Sequence, residues 1–201
     1  MMKNNLLDLA KQRRTIYDLG RNLSFTQDEL TTLIKDTIKQ APSAFNNQTT
    51  RAVILYGASH EKLWDIVINR LKSEVPDEAA FARTSAKVKA FKAAFGTILY
   101  FTETKTVAEF EKNFPLYAAN FQDWSEQAQG NAQYAVWTAL AENGVGANLQ
   151  HYNPLIDDDV RAAFDIPASW RLRAQMDFGS IETPAGNKDH LADDVLFKVF
   201  N

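Results

Sequence analysis

The chain has 201 residues, enough for one substantial domain core, and a formal net charge of -3 argues against a nucleic-acid binder. It contains no cysteine, which excludes disulfides, thiolate metal ligands and a cysteine nucleophile, and its histidines His60, His151 and His190 lack the spacing of a zinc site. Because neither a signal peptide nor a membrane-spanning stretch is indicated, we expect a cytoplasmic protein that does not bind membranes.

Alternating helices and strands are predicted along the first half of the chain. The segment LLDLAKQRR predicts a first helix, and a capping box formed by Thr26 and Glu29 begins a second one. Two short runs rich in β-branched and aromatic residues, at 51–57 and 96–103, predict buried strands. Ser59 is expected to cap the amphipathic helix that follows the first strand.

The second half of the chain adds a long helix and further strand signals. FQDWSEQAQGNAQYAVWTALAENGVG predicts a long helix that ends at Gly144, and its small residues suggest burial on more than one side. GANLQHYNPLI predicts an irregular strand or loop, and DDDVRAAFDIP predicts a short helix that begins with aspartates. WRLRAQMDFGS alternates apolar and polar residues, as a half-buried strand does.

The C-terminal stretch DDVLFKVFN would expose considerable apolar area if it were free. We expect it to dock, and a partner subunit is one surface that it could use. No linker or repeat interrupts the sequence, so residues 1–201 are predicted to form a single domain. Since the spacing is not that of regular βαβ units, a three-layer mixed α+β fold is favoured over a doubly wound sheet.

Four polar segments lie at the ends of apolar elements, where binding groups are commonly carried. They are residues 13–15, 41–51, 148–154 and 179–190. Each has an ordinary structural explanation, as a solvated helix end, a turn or a surface loop. The run Asn46, Asn47 and Gln48 is harder to explain in this way, because adjacent side-chain amides offer paired donors and acceptors to the edge of a heterocycle.

Taken in order, these segments resemble the FMN-dependent nitroreductase family. Its members typically carry Arg-Arg-Ser or Arg-His-Ser after a first helix, matched here by Arg-Arg-Thr at residues 13–15. The family then carries Pro-Ser-Ser-x-Asn-x-Gln-Pro-Trp, matched by PSAFNNQ at residues 42–48. The resemblance covers essentially the whole chain, and PSAFNNQTTRAVIL and LQHYNPL look most like the subgroup named after a yeast fatty-acid-repression mutant.

The resemblance implies a nitroreductase-type α+β fold, with a central mixed or antiparallel sheet flanked by helices and completed by homodimerisation. The implied cofactor is FMN. Arg13 would hold the FMN phosphate with its planar guanidinium, and Thr15 would give the phosphate a hydroxyl. Arg14 would lie along the ribityl chain and the pyrimidine side of the ring, and Lys188 would complete the neutralisation of the phosphate.

In the resembled family the flavin lies between two subunits, and the two motifs that contact it generally come from opposite subunits. Ser43, Asn46 and Gln48 are therefore implied to hydrogen-bond the flavin ring and ribityl groups across the interface. Gln150 and His151 correspond to a strand end near flavin N5, the reacting atom. No side chain is implied as nucleophile or metal ligand, because the flavin carries the chemistry.

Aromatic residues are more often part of a core than of a substrate site. Phe45, beside the flavin-contacting segment, and the region that includes Phe114 and Trp124 are the favoured positions for contact with a substrate.

The sequence also departs from the pattern of the family. Thr49 and Thr50 stand where many members have Pro-Trp, and Tyr17 stands where several members place a basic residue. The group that stabilises the negative charge of the reduced flavin is therefore unassigned, with Lys92 and Lys89 as alternatives.

The implied activity is that of an NAD(P)H oxidoreductase. NADH or NADPH would reduce FMN and leave, and a nitroaromatic or quinone would then take two electrons from the same face. One rival hypothesis is a flavin-binding stress or regulatory protein with incidental reductase activity, and another is a structural dimer without cofactor. No dinucleotide fingerprint of the form G-x-G-x-x-G is present, so the nucleotide would bind by stacking on the flavin.

Overall fold

The computed structural model describes residues 3–200 of the chain. Within these residues the helices are α1 Asn5–Gln12, α2 Gln27–Gln40, α3 Gly57–Leu71, α4 Glu78–Lys92, α5 Thr104–Asn113, α6 Phe121–Glu142, α7 Asp157–Phe164 and α8 Asp193–Leu196. The strands are β1 Leu19–Gly20, β2 Thr50–Tyr56, β3 Gly96–Glu103, β4 Gly146–Gln150 and β5 Trp170–Ile181. Short 3-10 turns occupy Ala44–Asn46 and Pro115–Asn120.

The five strands form one antiparallel sheet in the order β1-β5-β3-β2, with β4 also paired to β5. The strand β5 is central, because β3 pairs along one edge while β4 and β1 pair with successive parts of it. The predicted α+β class and the antiparallel sheet flanked by helices are confirmed.

Two hydrophobic clusters cover the two faces of the sheet. Leu99 and Phe101 of β3 pack with α3, α4 and α7, whereas Ile98 and Tyr100 pack with α2 and α6. Successive residues of a strand point to opposite faces, so a strand with both sets buried must lie in the middle layer. This is the expected three-layer arrangement.

Local sequence signals determine several element boundaries. The hydroxyl of Thr26 accepts a hydrogen bond from the backbone of Glu29, and the Glu29 side chain accepts one from the backbone of Thr26, so the predicted capping box begins α2. The prediction that Ser59 caps α3 is wrong. Gly57 adopts a left-handed φ of 50°, and the chain turns from β2 into α3 with Ser59 already inside the helix.

The strand β5 also differs from its prediction as a half-buried strand. Its polar residues Gln175 and Asp177 are fully buried, as are the apolar residues between and around them. The alternation in the sequence is real, but helices cover both faces of this central strand. The polar face therefore lies in the protein interior and needs internal hydrogen-bond partners.

The C-terminal tail lies on the surface of the single chain. After α8 it continues without regular structure to residue 200. Its large apolar side chains are exposed by between half and nine tenths of their surface: Val195, Leu196, Phe197, Val199 and Phe200. Among residues 3–200, no helix combines the length and apolar character needed to cross a membrane.

Candidate functional site

The arginine-containing segment passes from the end of α1 to the beginning of β4. Arg13 is the C-cap residue of α1. Thr15 forms a parallel bridge with Ala147, and the backbone N–H of Ile16 donates to the Ala147 carbonyl at 3.0 Å. These contacts fix residues 13–16 against the sheet, so the guanidinium groups project from a rigid anchor.

Arg13 has a guanidinium that packs on the ring of Trp137 from α6. The distance from its Cζ to the ring centroid is 4.5 Å, which is a cation–π contact. Its Nε is buried and has no hydrogen-bond acceptor among the described residues. A buried charged donor without a protein acceptor favours an anionic ligand or water at this position.

Arg14 and Lys188 line the same open cleft, of about 380 Å³, beside α1. Lys11 and His190 also line it, with Leu7, Ala10 and Asn187. The Arg14 Nη2 donates to the Gly186 carbonyl at 2.8 Å, which ties the late loop to the arginine segment. A planar guanidinium and two lysine ammonium groups are donors that suit a phosphate, so the residues present fit the phosphate end of FMN.

A neighbouring cleft of similar volume continues from Arg14 along the chain. Thr15, Tyr17 and Asp18 line one side of it, and the segment from Thr183 to Gly186 lines the other. Tyr17 is well exposed there. Arg14 lines both clefts, so one chain places it with Thr15 in one cleft and with Lys188 in the other.

The segment predicted to contact the flavin is a strained loop. Phe45, Asn46 and Gln48 all adopt positive φ angles, of 53°, 51° and 47°, which non-glycine residues rarely adopt. The Ser43 hydroxyl accepts a hydrogen bond from the Gln48 backbone N–H at 3.0 Å. Arg51 Nη1 donates to the Gln48 carbonyl at 2.6 Å, which holds the far side of the loop.

Ser43, Gln48 and Arg51 also line one small pocket of about 150 Å³ between α2 and α6. The side chains of Asn46 and Gln48 are exposed, whereas the adjacent Asn47 is buried. Neither amide atom of Asn47 has a hydrogen-bond partner in the described part of the chain. The three consecutive amides thus divide between the surface and the interior.

The arginine segment and this loop contact different parts of α6. Gln12 Nε2 donates to the Ala141 carbonyl at 2.7 Å, and Asn131 Nδ2 donates to the Pro42 carbonyl at 3.2 Å. Asn131 and Ala141 are ten positions apart, which is about 15 Å along a helix. One chain therefore presents the two predicted flavin-binding segments at separate places.

A buried polar network connects β5, β4 and the arginine segment. Asn148 Nδ2 donates to the Ile16 carbonyl at 2.9 Å and to Asp177 Oδ2 at 3.0 Å. Gln150 Nε2 donates to Asn148 Oδ1 at 2.6 Å. Burial raises the pKa of the Asp177 carboxyl well above its usual range. His151, the next residue along from Gln150, is exposed.

Phe45 belongs to a surface cluster of aromatic rings. Its ring centroid lies 4.8 Å from that of Phe114, 5.9 Å from Tyr117 and 6.1 Å from Trp124. The Phe121 ring, 5.8 Å from Phe45, is buried beneath them. The structure therefore brings together the three aromatic residues that sequence analysis favoured for substrate contact, and half of the Phe45 surface is exposed.

Lys92, one of two alternatives for the charge-stabilising group, is already paired. Its Nζ lies 2.6 Å from an Asp65 carboxylate oxygen, and Lys89, the other alternative, is an exposed residue of the same helix α4. Neither lysine lines the clefts described above. The sequence assigned no role to Arg51 or Asp177, because their roles depend on contacts that form only in the folded chain.

An antiparallel sheet between helical layers, with a cationic cleft between α1 and residues 187–190, gives an α+β protein of nitroreductase type. The sequence model of the Nitroreductase family matches residues 10–180. The chain belongs to this family.

Several proteins match this chain in sequence or in structure over most of its length. Nitroreductase FRM2 of Saccharomyces cerevisiae is 35% identical over 179 residues, covering 87% of each protein. Nitroreductase CinD from Lactococcus lactis, solved in complex with nicotinic acid, is 48% identical with a TM-score of 0.91, covering 98% of this chain and 100% of that one. A Desulfovibrio desulfuricans protein solved in complex with FMN shares the fold, with 20% identity, a TM-score of 0.69 and full coverage of both chains. The predicted likeness to the yeast subgroup is confirmed.

Proposed function

We propose that the protein is an FMN-dependent NAD(P)H oxidoreductase that reduces nitroaromatics or quinones by a two-step, two-electron transfer. The observation that carries this proposal is the cleft shared by Arg14 and Lys188, next to the cleft that Arg14 shares with Thr15. Bound FMN would supply hydride chemistry at its N5 atom, with NADH or NADPH as the electron donor.

The phosphate end of FMN would be held by residues of one chain. Arg13 would donate from its guanidinium, whose buried Nε has no hydrogen-bond acceptor among the described residues, and Thr15 would add its hydroxyl. Arg14 would reach from the cleft toward the ribityl chain and the pyrimidine side of the ring. Lys188 would neutralise the second phosphate charge, as a point charge beside the planar guanidinium.

The remaining contacts would come from a second copy of the chain. Ser43, Asn46 and Gln48 would hydrogen-bond the flavin across the interface, which is consistent with the separation of the two segments along α6 in one chain. The exposed rings of Phe197 and Phe200 support a homodimer, because such apolar area is normally covered. The partner that we propose for this tail is the second copy.

Gln150 and His151, at the end of β4, would lie beside the reacting edge of the flavin. Gln150 is held by a buried network and would position the ring, and His151 is exposed beside it. No side chain is required to form a covalent bond with substrate. The protein would supply position and charge.

The substrate would stack near Phe45, Phe114 and Trp124. CinD, 46% identical to this chain, has been solved in complex with 4-nitrophenol, a flat nitroaromatic compound, with a TM-score of 0.89. Flat aromatic rings pack well on a cluster of this kind. The aromatic cluster and the ligand of CinD lead us to propose small aromatic oxidants as the substrate class.

A two-stage absorbance experiment tests this function. The purified protein is reconstituted with FMN and mixed anaerobically with NADH or NADPH, and we expect the flavin absorbance to bleach. Addition of 4-nitrophenol or a quinone should then restore the absorbance. A flavin that stays oxidised with both nucleotides would favour the alternative, a flavin-binding stress or regulatory protein, and protein that takes up no FMN would contradict both.

A further inference from the structure

The amide of Gln150 has a defined orientation in the protein interior, and this orientation restricts what it can bind. Its Nε2 faces Asn148, which in turn contacts Ile16 and Asp177. We propose that Asn148 is a positioning residue that holds the Gln150 carbonyl toward the cofactor, so that Gln150 accepts a hydrogen bond from a flavin ring N–H. This role rests on the proposed function.

The orientation of the Asn148 amide is set by a backbone carbonyl, which cannot exchange its role as acceptor for that of donor. The backbone carbonyl of Ile16 can only accept a hydrogen bond, and it lies 2.9 Å from Asn148 Nδ2. The second hydrogen of that nitrogen is donated to Asp177 Oδ2, at 3.0 Å. Both amide hydrogens of Asn148 are therefore used, and its other end, Oδ1, must be the acceptor.

The orientation of Asn148 then determines that of Gln150. Gln150 Nε2 lies 2.6 Å from Asn148 Oδ1. A reversed Gln150 amide would place two carbonyl oxygens against each other in a buried site, which is unfavourable. The carbonyl oxygen Oε1 of Gln150 is consequently the end that points away from Asn148, and a carbonyl oxygen can only accept.

Asp177 supports this arrangement as a hydrogen-bond acceptor. It is fully buried on the central strand, and its Oδ2 accepts from Asn148 Nδ2. An asparagine at this position would offer a carbonyl oxygen in the same place, so the network requires the shape and the acceptor oxygen of Asp177.

The network also lies beside the proposed phosphate contacts. Ile16 directly follows Thr15, and the Thr15 backbone is bridged to Ala147 at the beginning of β4. Asn148 and Gln150 follow on one face of the same short strand. The anchor of the Gln150 amide is thus the same segment that would hold FMN.

Flavin chemistry limits the donor to two groups. The ring carries N3–H in both oxidation states and gains N5–H only on reduction, whereas oxidised N5 is itself an acceptor. A fixed carbonyl suits either N–H group. If it accepts from N3–H, it contributes to affinity, and if it accepts from N5–H, it favours the reduced ring and raises the midpoint potential.

The deciding variant is Gln150→Met, which keeps the volume of the side chain and removes the carbonyl. For N3–H we expect an increase of about tenfold in the Kd of oxidised FMN with the midpoint potential unchanged. For N5–H we expect the potential to fall by about 30 mV for each tenfold loss of preference for the reduced ring. Asn148→Ser should produce the same change as Gln150→Met, and Asp177→Asn should leave both quantities at wild-type values.

Gln129→Met is the matched control, because it removes a buried amide whose hydrogen bonds go to Phe101 and Thr102 of β3 and not to β4. It should not change the affinity or the potential. Unchanged values in Gln150→Met, or equal changes in the control, would overturn the inference. Wild-type protein that takes up no FMN would overturn the proposed function as well, so the two failures are distinguishable.

A measurement on the apoprotein covers the case in which Asn148→Ser does not fold. Because one Gln150 Nε2 hydrogen is donated to Asn148 inside the protein, we expect it to exchange slowly with solvent in an NMR spectrum of the unmutated chain. Rapid exchange of both Gln150 amide hydrogens would show that Asn148 does not hold them.

Discussion

Replacing Arg13 tests the phosphate site, and the structure separates two effects of the change. Arg13→Met removes the charge and keeps most of the aliphatic stem. The contact with Trp137, at 4.5 Å, contributes about 0.5 to 2 kcal/mol to folding. A charge-assisted hydrogen bond to phosphate contributes about 1.5 to 3 kcal/mol to binding, which predicts a Kd for FMN that is roughly 10- to 150-fold higher.

Riboflavin, which lacks the phosphate, distinguishes this contact from general damage to the site. We expect fluorescence titrations to show that Arg13→Met weakens FMN binding and leaves riboflavin binding within about twofold. Trp137→Phe is the control, because it weakens the ring contact and retains the guanidinium. It should lower the free energy of unfolding by more than it lowers the free energy of FMN binding. Equal losses for FMN and riboflavin, or no loss for either, would refute the assignment of Arg13 to the phosphate.

Three further predictions concern the dimer, pH dependence and the strained loop. Phe197 and Phe200 are 63% and 89% exposed in one chain, and the double variant Phe197→Ser with Phe200→Ser should convert dimer to monomer in light scattering and release FMN in absorbance measurements. The control Lys198→Ser should do neither. A double variant that stays dimeric would contradict the role of the tail. Burial lowers the pKa of His60 to about 4, so its contribution to the free energy of unfolding is fully present above about pH 6.5 and decreases by about 3 kcal/mol as the pH falls through 4. Denaturant titrations should therefore show that His60→Gln loses less free energy of unfolding at acid pH than the unmutated protein. An unchanged pH profile in this variant would show that His60 is not the cause of the acid loss. Arg51→Met should lower the unfolding temperature and weaken FMN binding, because it removes the guanidinium that holds the carbonyls of Gln48 in the loop and Thr50 at the start of β2. Unchanged values of both would contradict this role of Arg51.

Local patterns predicted most of the fold. The capping box at Thr26, the strand at 96–103 and the long helix before Gly144 depend on neighbours within a few positions, and each lies where it was expected. The burial of Gln175 and Asp177 was not predicted, because it depends on which strand is central. Only long-range pairing with β3 and β4 decides that.

The candidate site could be predicted only in part, for a similar reason. The order of its motifs indicated the residues that meet at the cationic cleft, among them Arg14 and Lys188. The roles of Arg51 and Asp177 depend on contacts with the loop and with β4, and the sequence motifs assign no role to either residue. The left-handed backbone of Phe45 was also unpredictable, since glycine is the residue expected at positive φ.

The strained loop and the buried network are both held by contacts within one chain. A non-glycine residue at positive φ costs of the order of 1 to 3 kcal/mol, yet the loop holds three of them in a single chain through Ser43 and Arg51. Gln150 is likewise held by neighbours within one chain. On the proposed function, neither part depends on the other for its shape, and the association of two copies would bring the two parts together around FMN.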